Sequence, residues 1–279
     1  MNNKGQIIIT DMLLYLIILT VILGIIVYTT STLNDNQLTR TNNKQIKNIL
    51  EDTLSMLTKT SGTPANWQYL DTNDIKIIGL KSENSQLLNY NKLMKLKQNN
   101  QLLDELIPVN MDYSLTLYPK NNPNSKELIA GKEYLTNKKQ IQSKDTTVVL
   151  DYGYKTTSFT KDSNADTCSY NHDNQWSCKT ITINETLLNH GKYYIVTDAL
   201  TEYVLSNTYQ DNITGQTKNK ININQQLEQL KCNENQTIYI HIKTNTNNTC
   251  LVYDSNNREK YLDTVIRPEI YILNLKIAT

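Results

Sequence analysis

The sequence predicts an α+β protein, with a long N-terminal transmembrane α-helix followed by a mainly antiparallel β-sheet head carrying short helices. Three observations predict it. An almost unbroken apolar run occupies residues 7–27. A second helical pattern follows at residues 46–57. Beyond residue 70 come short β-rich segments divided by polar turns, the pattern of an antiparallel sheet.

The apolar run is long enough for a helix to cross the roughly 30 Å hydrocarbon core of a bilayer. From Met12 to Val27 its only polar side chain is Thr20. A secretory signal has a shorter apolar core, of about 7–15 residues, and ends in small residues. This run ends Ile25-Ile26-Val27-Tyr28-Thr29-Thr30, without such a cleavage site, so the expectation is a span that stays on the protein. Lys4 is the only basic side chain before it, and none follows until Arg40. That asymmetry favours a cytoplasmic N-terminus and an extracellular head. Asp11 stands at the start of the run. One reading places it at headgroup level, where negative charge suits a helix N-terminus. The other pairs it with a cation on a neighbouring chain, because a carboxylate inside a span costs about 2.5–3.5 kcal/mol at the centre.

Residues 33–45 are rich in Asn, Asp and Thr, poor helix formers, so a weak or bent helix is expected there. Ile46, Ile49, Leu50, Leu54 and Leu57 then repeat at three- and four-residue spacings, one apolar helix face. Gly62 and Pro64 end it. A continuous helix from Gln6 to Thr58 would be roughly 80 Å long. Residues 74–80 read as a strand and 90–106 as one or two short helices. Met111, Tyr113, Leu115 and Leu117 alternate with polar residues, the mark of a half-buried strand. Further strands are expected within 146–154, 179–183, 192–206, 236–244, 249–254 and 268–277, with short helices at 223–230 and 258–266. Residues 121–144 are polar and read as loop. The domain reading is therefore a spanning helix at 6–28, an amphipathic extension at 29–60 and a head at 61–279, with 61–120 and 145–279 as subregions.

The chain has 279 residues, enough for an anchor and a globular head. Its 28 basic and 27 acidic residues nearly cancel, which gives no basic face for nucleic acid. Asparagine is roughly one residue in eight, and one Phe stands against 18 Tyr. This reads as a coding bias on a hydrophilic surface rather than a prion-like tract, and it leaves Tyr and Ile to do the packing. Eight glycines argue against Gly-rich phosphate loops. No nucleophile elbow, P-loop or His-Glu-x-x-His is present, and no cofactor is expected.

The four cysteines, Cys168, Cys178, Cys232 and Cys250, all follow the span. An even count in an exported head suggests disulfides, and nearest-neighbour pairing gives Cys168–Cys178 and Cys232–Cys250, one of three connectivities. Each would close a short loop worth about 3 kcal/mol. A metal site would want tighter cysteine spacing, although His172 lies between the first pair. Asn184, Asn212, Asn235 and Asn247 begin Asn-x-Thr sequons, so glycosylation is expected of the head. His190 precedes Gly191 and reads as a turn residue; His241 alternates with Ile240 and Ile242 and should point from the outer face of a strand. Trp67 reads as a core anchor. Trp176 is the better candidate for an exposed aromatic, and with Trp67 for lining a sugar site.

The opening residues resemble those of archaeal type IV pilin-like proteins with a class III signal peptide. The resemblance rests on Lys4-Gly5-Gln6, the run Ile7-Ile8-Ile9-Thr10-Asp11, and Leu14. A second stretch, Gly62–Gln68 with Ile75–Leu96, is similar to a segment of pilin-like surface proteins of methanogens. The two cover about the first third of the chain. The resemblance implies residues 1–5 as a leader, cleavage between Gly5 and Gln6 by a prepilin-peptidase-like enzyme, and assembly with other pilin-like subunits. Asp11 would neutralise the new N-terminus of a neighbour. It would be the sixth mature residue, whereas the family's acid is usually the fifth, and Thr10 holds that place.

The functional expectation is thus a non-enzymatic cell-surface structural protein, a pilin-like or minor-pilin subunit held in the lipid bilayer. The alternative is a membrane-anchored extracellular binding or adhesion module, glycan-binding among the options. An anchored enzyme is the third.

Overall fold

The structure is a computed structural model that describes residues 3–83, 85–135, 140–159, 175–243 and 248–279, with the side chains of 3–11, 34–36, 38 and 39 left aside. It is α+β, as expected: one long helix, then mostly antiparallel sheets with short helices. Helix α1 runs unbroken from Asn3 to Lys59. At 1.5 Å per residue that is about 85 Å. Residues 33–45, expected as weak or bent helix, are continuous with it. Flanking helix on both sides supplies the nucleus, so propagation through poor formers costs only their propensities.

The C-terminal part of α1 is a core element. Ile46, Leu50, Leu54 and Leu57 are buried. They share a cluster with Trp67, Leu80, Leu93 and the inner face of the main sheet. The chain leaves α1 through a short hairpin-like pair, β1 (Gly62–Thr63) with β2 (Ile77–Ile78), so the strand expected over 74–80 is only two residues long. Gly62 adopts φ 82°, a left-handed conformation that glycine tolerates, and its missing side chain leaves room for the Trp67 ring. Then come β3 (Leu88–Asn89) and α2 (Tyr90–Gln98), where the Asn89 side chain accepts the Lys92 amide as N-cap. A 3-10 turn covers Asn100–Leu106, and β4 spans Asp112–Pro119. In β4, Tyr113, Leu115 and Leu117 are buried, as their alternation requires.

The region expected as loop, 121–144, is corrected by the structure. It holds β5 (Glu127–Gly131) and the start of β6 (Ile141–Asp151). Both lie toward sheet margins, where one side of the strand is open and polar residues are tolerated. The domain reading is also corrected. The last strand, β15 (Ile270–Ala278), lies between β6 and β4 in a sheet of order β3-β6-β15-β4-β5. Val149 of β6 pairs with Ile270, so the chain leaves this sheet and returns at adjacent points. Subregions 61–120 and 145–279 therefore do not exist as units; residues 152–269 are an insertion between two neighbouring strands.

The insertion is a β-sandwich. Its strands are β7 (Lys155–Phe159), β8 (Trp176–Asn184), β9 (Lys192–Thr197), β10 (Thr201–Asn207), β11 (Asn212–Thr217), β12 (Lys220–Asn222), β13 (Asn235–Lys243) and β14 (Thr249–Asp254). Helix α3 (Glu185–His190) follows β8, and α4 (Asn224–Leu230) follows β12. One sheet has order β11-β10-β13-β8 and the other β12-β9-β14-β7. The run expected as one strand over 192–206 is two strands in different sheets, with the chain crossing at 198–200. Ile238, Ile240, Ile242 and Leu205 meet Phe159, Ile195 and Leu251 between the sheets, and Leu227 and Leu230 of α4 join the same core. A tyrosine-rich seam joins the insertion to the helix-and-sheet unit. Tyr152 and Tyr261 stack at 4.4 Å between centroids, Tyr90 lies 5.0 Å from Tyr152, and the Arg258 guanidinium sits 4.7 Å from the Tyr90 ring centre. Arg258 also donates to the Tyr152 carbonyl and to Asn91 Oδ1.

Candidate functional site

The most unusual surface on the molecule is the N-terminal part of α1. One stretch, Met12–Leu33, is long and apolar enough to cross a membrane, and none of it is buried. Leu13, Leu14, Ile17, Ile18, Ile22, Ile25 and Ile26 are all about half exposed or more. A soluble monomer rarely exposes so large an apolar surface. The threonine hydroxyls within the stretch are internally satisfied. Thr20 Oγ1 donates to the Ile17 carbonyl at 2.8 Å, Thr30 to Ile26 at 2.7 Å and Thr32 to Tyr28 at 2.8 Å. This is the arrangement a hydrocarbon environment demands. Gly24 has open space where a side chain would be.

Below that band, Arg40, Thr41 and Asn42 are exposed. Contact with the sheet begins at Asn43, whose carboxamide accepts from Gln142, and continues with Glu51, which is bonded to Lys144 at 2.8 Å. That hydrogen bond, aided by the lysine's charge, holds the Glu51 carboxyl below its ordinary value. The helix thus passes from a bare apolar band, through a polar neck, into the head's core.

Gly5, Gln6 and Asp11 all lie on α1, which begins at Asn3, inside the expected leader. Their side chains lie outside the described set. Cys168, His172 and Asn247 also lie outside the described residues. Cys178 is buried in β8, directly across from His241 of β13. The expected Cys232–Cys250 bond is not formed; both are free thiols. Cys250 points from β14 away from the sandwich core, into a cluster with Tyr194, Val252 and Leu262. Cys232 is exposed beyond α4, 3.6 Å from Asn207 Nδ2. Closeness in sequence failed here because an intervening strand carries the two to different surfaces.

Asn212 and Asn235 are exposed. Asn184 is register partner of Asn235, donates to its Oδ1 at 3.2 Å, and accepts the Leu187 amide as N-cap of α3. His190 ends α3 beside Gly191, as its sequence context suggested. His241 does face outward from its strand but is fully buried, with Ser206 Oγ 2.9 Å from its Nε2. Trp67 is buried, donating from Nε1 to the Gly79 carbonyl at 2.9 Å. Trp176 is partly exposed.

Two features gave no sequence signal. Lys92 is fully buried, donating to the carbonyls of Ser61 at 2.8 Å and Lys81 at 3.0 Å. Burial pushes its ammonium pKa down, against the charge of Glu83. The second is the row of polar side chains beside Trp176, described below. Among the described residues no three His, Cys, Asp or Glu side chains are placed to hold a metal ion. No family model, curated protein or solved structure matches the chain.

Proposed function

We propose that the protein is a non-enzymatic cell-surface structural subunit of the pilin-like type, its N-terminus cytoplasmic and its head extracellular. The observation that carries this reading is the division of α1: one continuous helix, apolar and bare at Met12–Leu33, and a core element of the head from Ile46 onward. A head held rigidly on an apolar stem suits a subunit whose stem first sits in lipid and then packs among its copies. The internally bonded threonines suit both settings, and the open surface at Gly24 lets a second helix approach closely. Lys4-Gly5-Gln6 supplies the processing signal for a prepilin-peptidase-like enzyme.

Mass spectrometry of protein from its native membrane tests the reading. The expected mature N-terminus is Gln6, with the protein recovered in assemblies with its own copies or other pilin-like subunits. An intact Met1 with a purely monomeric membrane pool would overturn it in favour of a simple anchor. Asp11→Asn is expected to leave insertion and the head intact while slowing or misregistering assembly. It removes a carboxylate that would otherwise have to find a partner among packed helices.

A further inference from the structure

We infer a saccharide-binding site on the outer face of the sandwich, built around Trp176 and independent of export and assembly. Four side chains form a row across the end of the β11-β10-β13-β8 sheet. Trp176 of β8 is register partner of Lys243 of β13. Lys243 Nζ lies 3.0 Å from Glu202 Oε2 of β10. Glu202 is register partner of Gln216 of β11, whose Nε2 donates to it at 3.5 Å. With strands about 4.8 Å apart, the row is about 14 Å long. Trp176, Glu202 and Gln216 of the row line an open cavity of about 560 Å³, together with Val204 and Thr214, a volume within the usual range for ligand sites; Lys243 reaches it through its bond to Glu202.

The middle of this sheet face is closed, with Val204, Ser206, Cys178 and His241 buried; the row lies at one end of it, beside the cavity. Its chemistry is an aromatic plate followed by a cation, an anion and an amide. The indole face offers a weakly negative π surface to polarised C–H groups. The ammonium donates, the carboxylate accepts and the amide does both, which matches the vicinal hydroxyls on the rim of a pyranose ring. The Lys243–Glu202 pair cancels in charge, so the row does not select an anionic ligand. A nucleotide would need unpaired cations for its phosphate, and an acyl chain would not use three hydrogen-bonding groups. A neutral run of linked sugars, laid across the strands, uses the plate and the row together.

As a surface ion pair, Lys243–Glu202 contributes little to folding, so the site can be altered without dismantling the sheet. The test uses the full chain in phosphatidylcholine nanodiscs, free of sugar-based detergents. The probes are neutral oligosaccharides built from glucose, galactose, mannose and N-acetylglucosamine, titrated to on the order of 10 mM. The readout is tryptophan fluorescence. Trp67 is fully buried, so a change reports Trp176. At least one probe is expected to give a saturable change. For that probe, calorimetry should show Trp176→Ala and Glu202→Gln each weakening binding by about tenfold, with Trp176→Phe within a few-fold of wild type. No saturable signal with any probe overturns the site, as does wild-type affinity in a folded Trp176→Ala. If Trp176→Ala fails to fold, Glu202→Gln decides: unchanged affinity overturns the proposal, and a tenfold loss supports it.

Discussion

Replacing three apolar residues in the middle of the stem with arginine should release the protein from membranes, whereas one replacement should not. Twelve Leu, Ile and Val residues lie between Leu13 and Val27. At about −0.45 kcal/mol each on insertion scales they contribute roughly −5 kcal/mol. One arginine near the centre costs about 3 kcal/mol, so Ile22→Arg retains about −2 kcal/mol in favour of insertion. In Leu19→Arg/Ile22→Arg/Ile25→Arg the cost is about 9 kcal/mol, and nine remaining apolar side chains leave a net of about +5 kcal/mol, an inserted fraction well under about 1%. The three positions are 39, 48 and 57% exposed and touch nothing in the head. The head's core begins at Ile46, about 30 Å further along the helix from Ile25. The assay is alkaline extraction of membranes, with protease resistance of the head as the folding control. The single variant should remain in the pellet and the triple variant should move to the supernatant with its head intact. A triple variant that stays in the pellet, or a single variant that is released, would refute the insertion arithmetic.

Other expected outcomes follow from the head. Gly79→Ala places a Cβ 2.4 Å from the Thr60 carbonyl oxygen and 2.5 Å from the Gly62 nitrogen, both backbone atoms that cannot step aside. It should destabilise by about 3 kcal/mol or more in thermal or denaturant unfolding; a neutral effect would mean that the turn after α1 is plastic. Lys92→Met strips two buried carbonyls of their donor and should cost about 2–4 kcal/mol. An equal or higher melting temperature would show instead that desolvating the ammonium outweighs its two bonds. Nine tyrosines, among them Tyr152, Tyr193 and Tyr271, have hydroxyl pKa values raised first of all by burial, that of Tyr152 to about 12. The folded chain therefore holds protons that the unfolded chain releases near pH 10. This stabilisation is intact below about pH 10 and is lost as pH rises toward the folded values, so unfolding free energy should fall steeply above about pH 10. Lys92, with its lowered value, acts in the opposite direction but is one group against nine. A flat profile from pH 9 to 12 in chemical denaturation would contradict the buried tyrosine clusters. Thiol labelling of the denatured, unreduced protein should modify Cys232 and Cys250. A recovered Cys232–Cys250 peptide would overturn their separate placement.

Local pattern by itself determined the stem, the apolar face at Ile46, Leu50, Leu54 and Leu57, the half-buried strand at Tyr113, Leu115 and Leu117, and the buried Trp67. Each is a periodicity or a composition that one helix or strand must satisfy alone, so it is written in neighbouring residues. Tertiary structure decided what depended on distant partners. That β15 enters the sheet between β4 and β6 is a matter of which strands pair, and strand pairing is almost invisible locally because any β-rich segment offers the same backbone groups. The polar stretch 121–144 hid β5 and the start of β6, because strands toward a sheet margin need no apolar alternation. Lys92 gave no local sign of burial until two carbonyls from other segments closed over it, and His241 points from the outer face as expected but lies in its buried middle. The pairing of Cys232 with Cys250 failed for the same reason: eighteen positions apart in sequence, they are separated in space by the strand between them, which carries one thiol into a buried cluster and leaves the other at the surface. The row at Trp176 draws one side chain from each of four strands, and only the register of the folded sheet places them side by side.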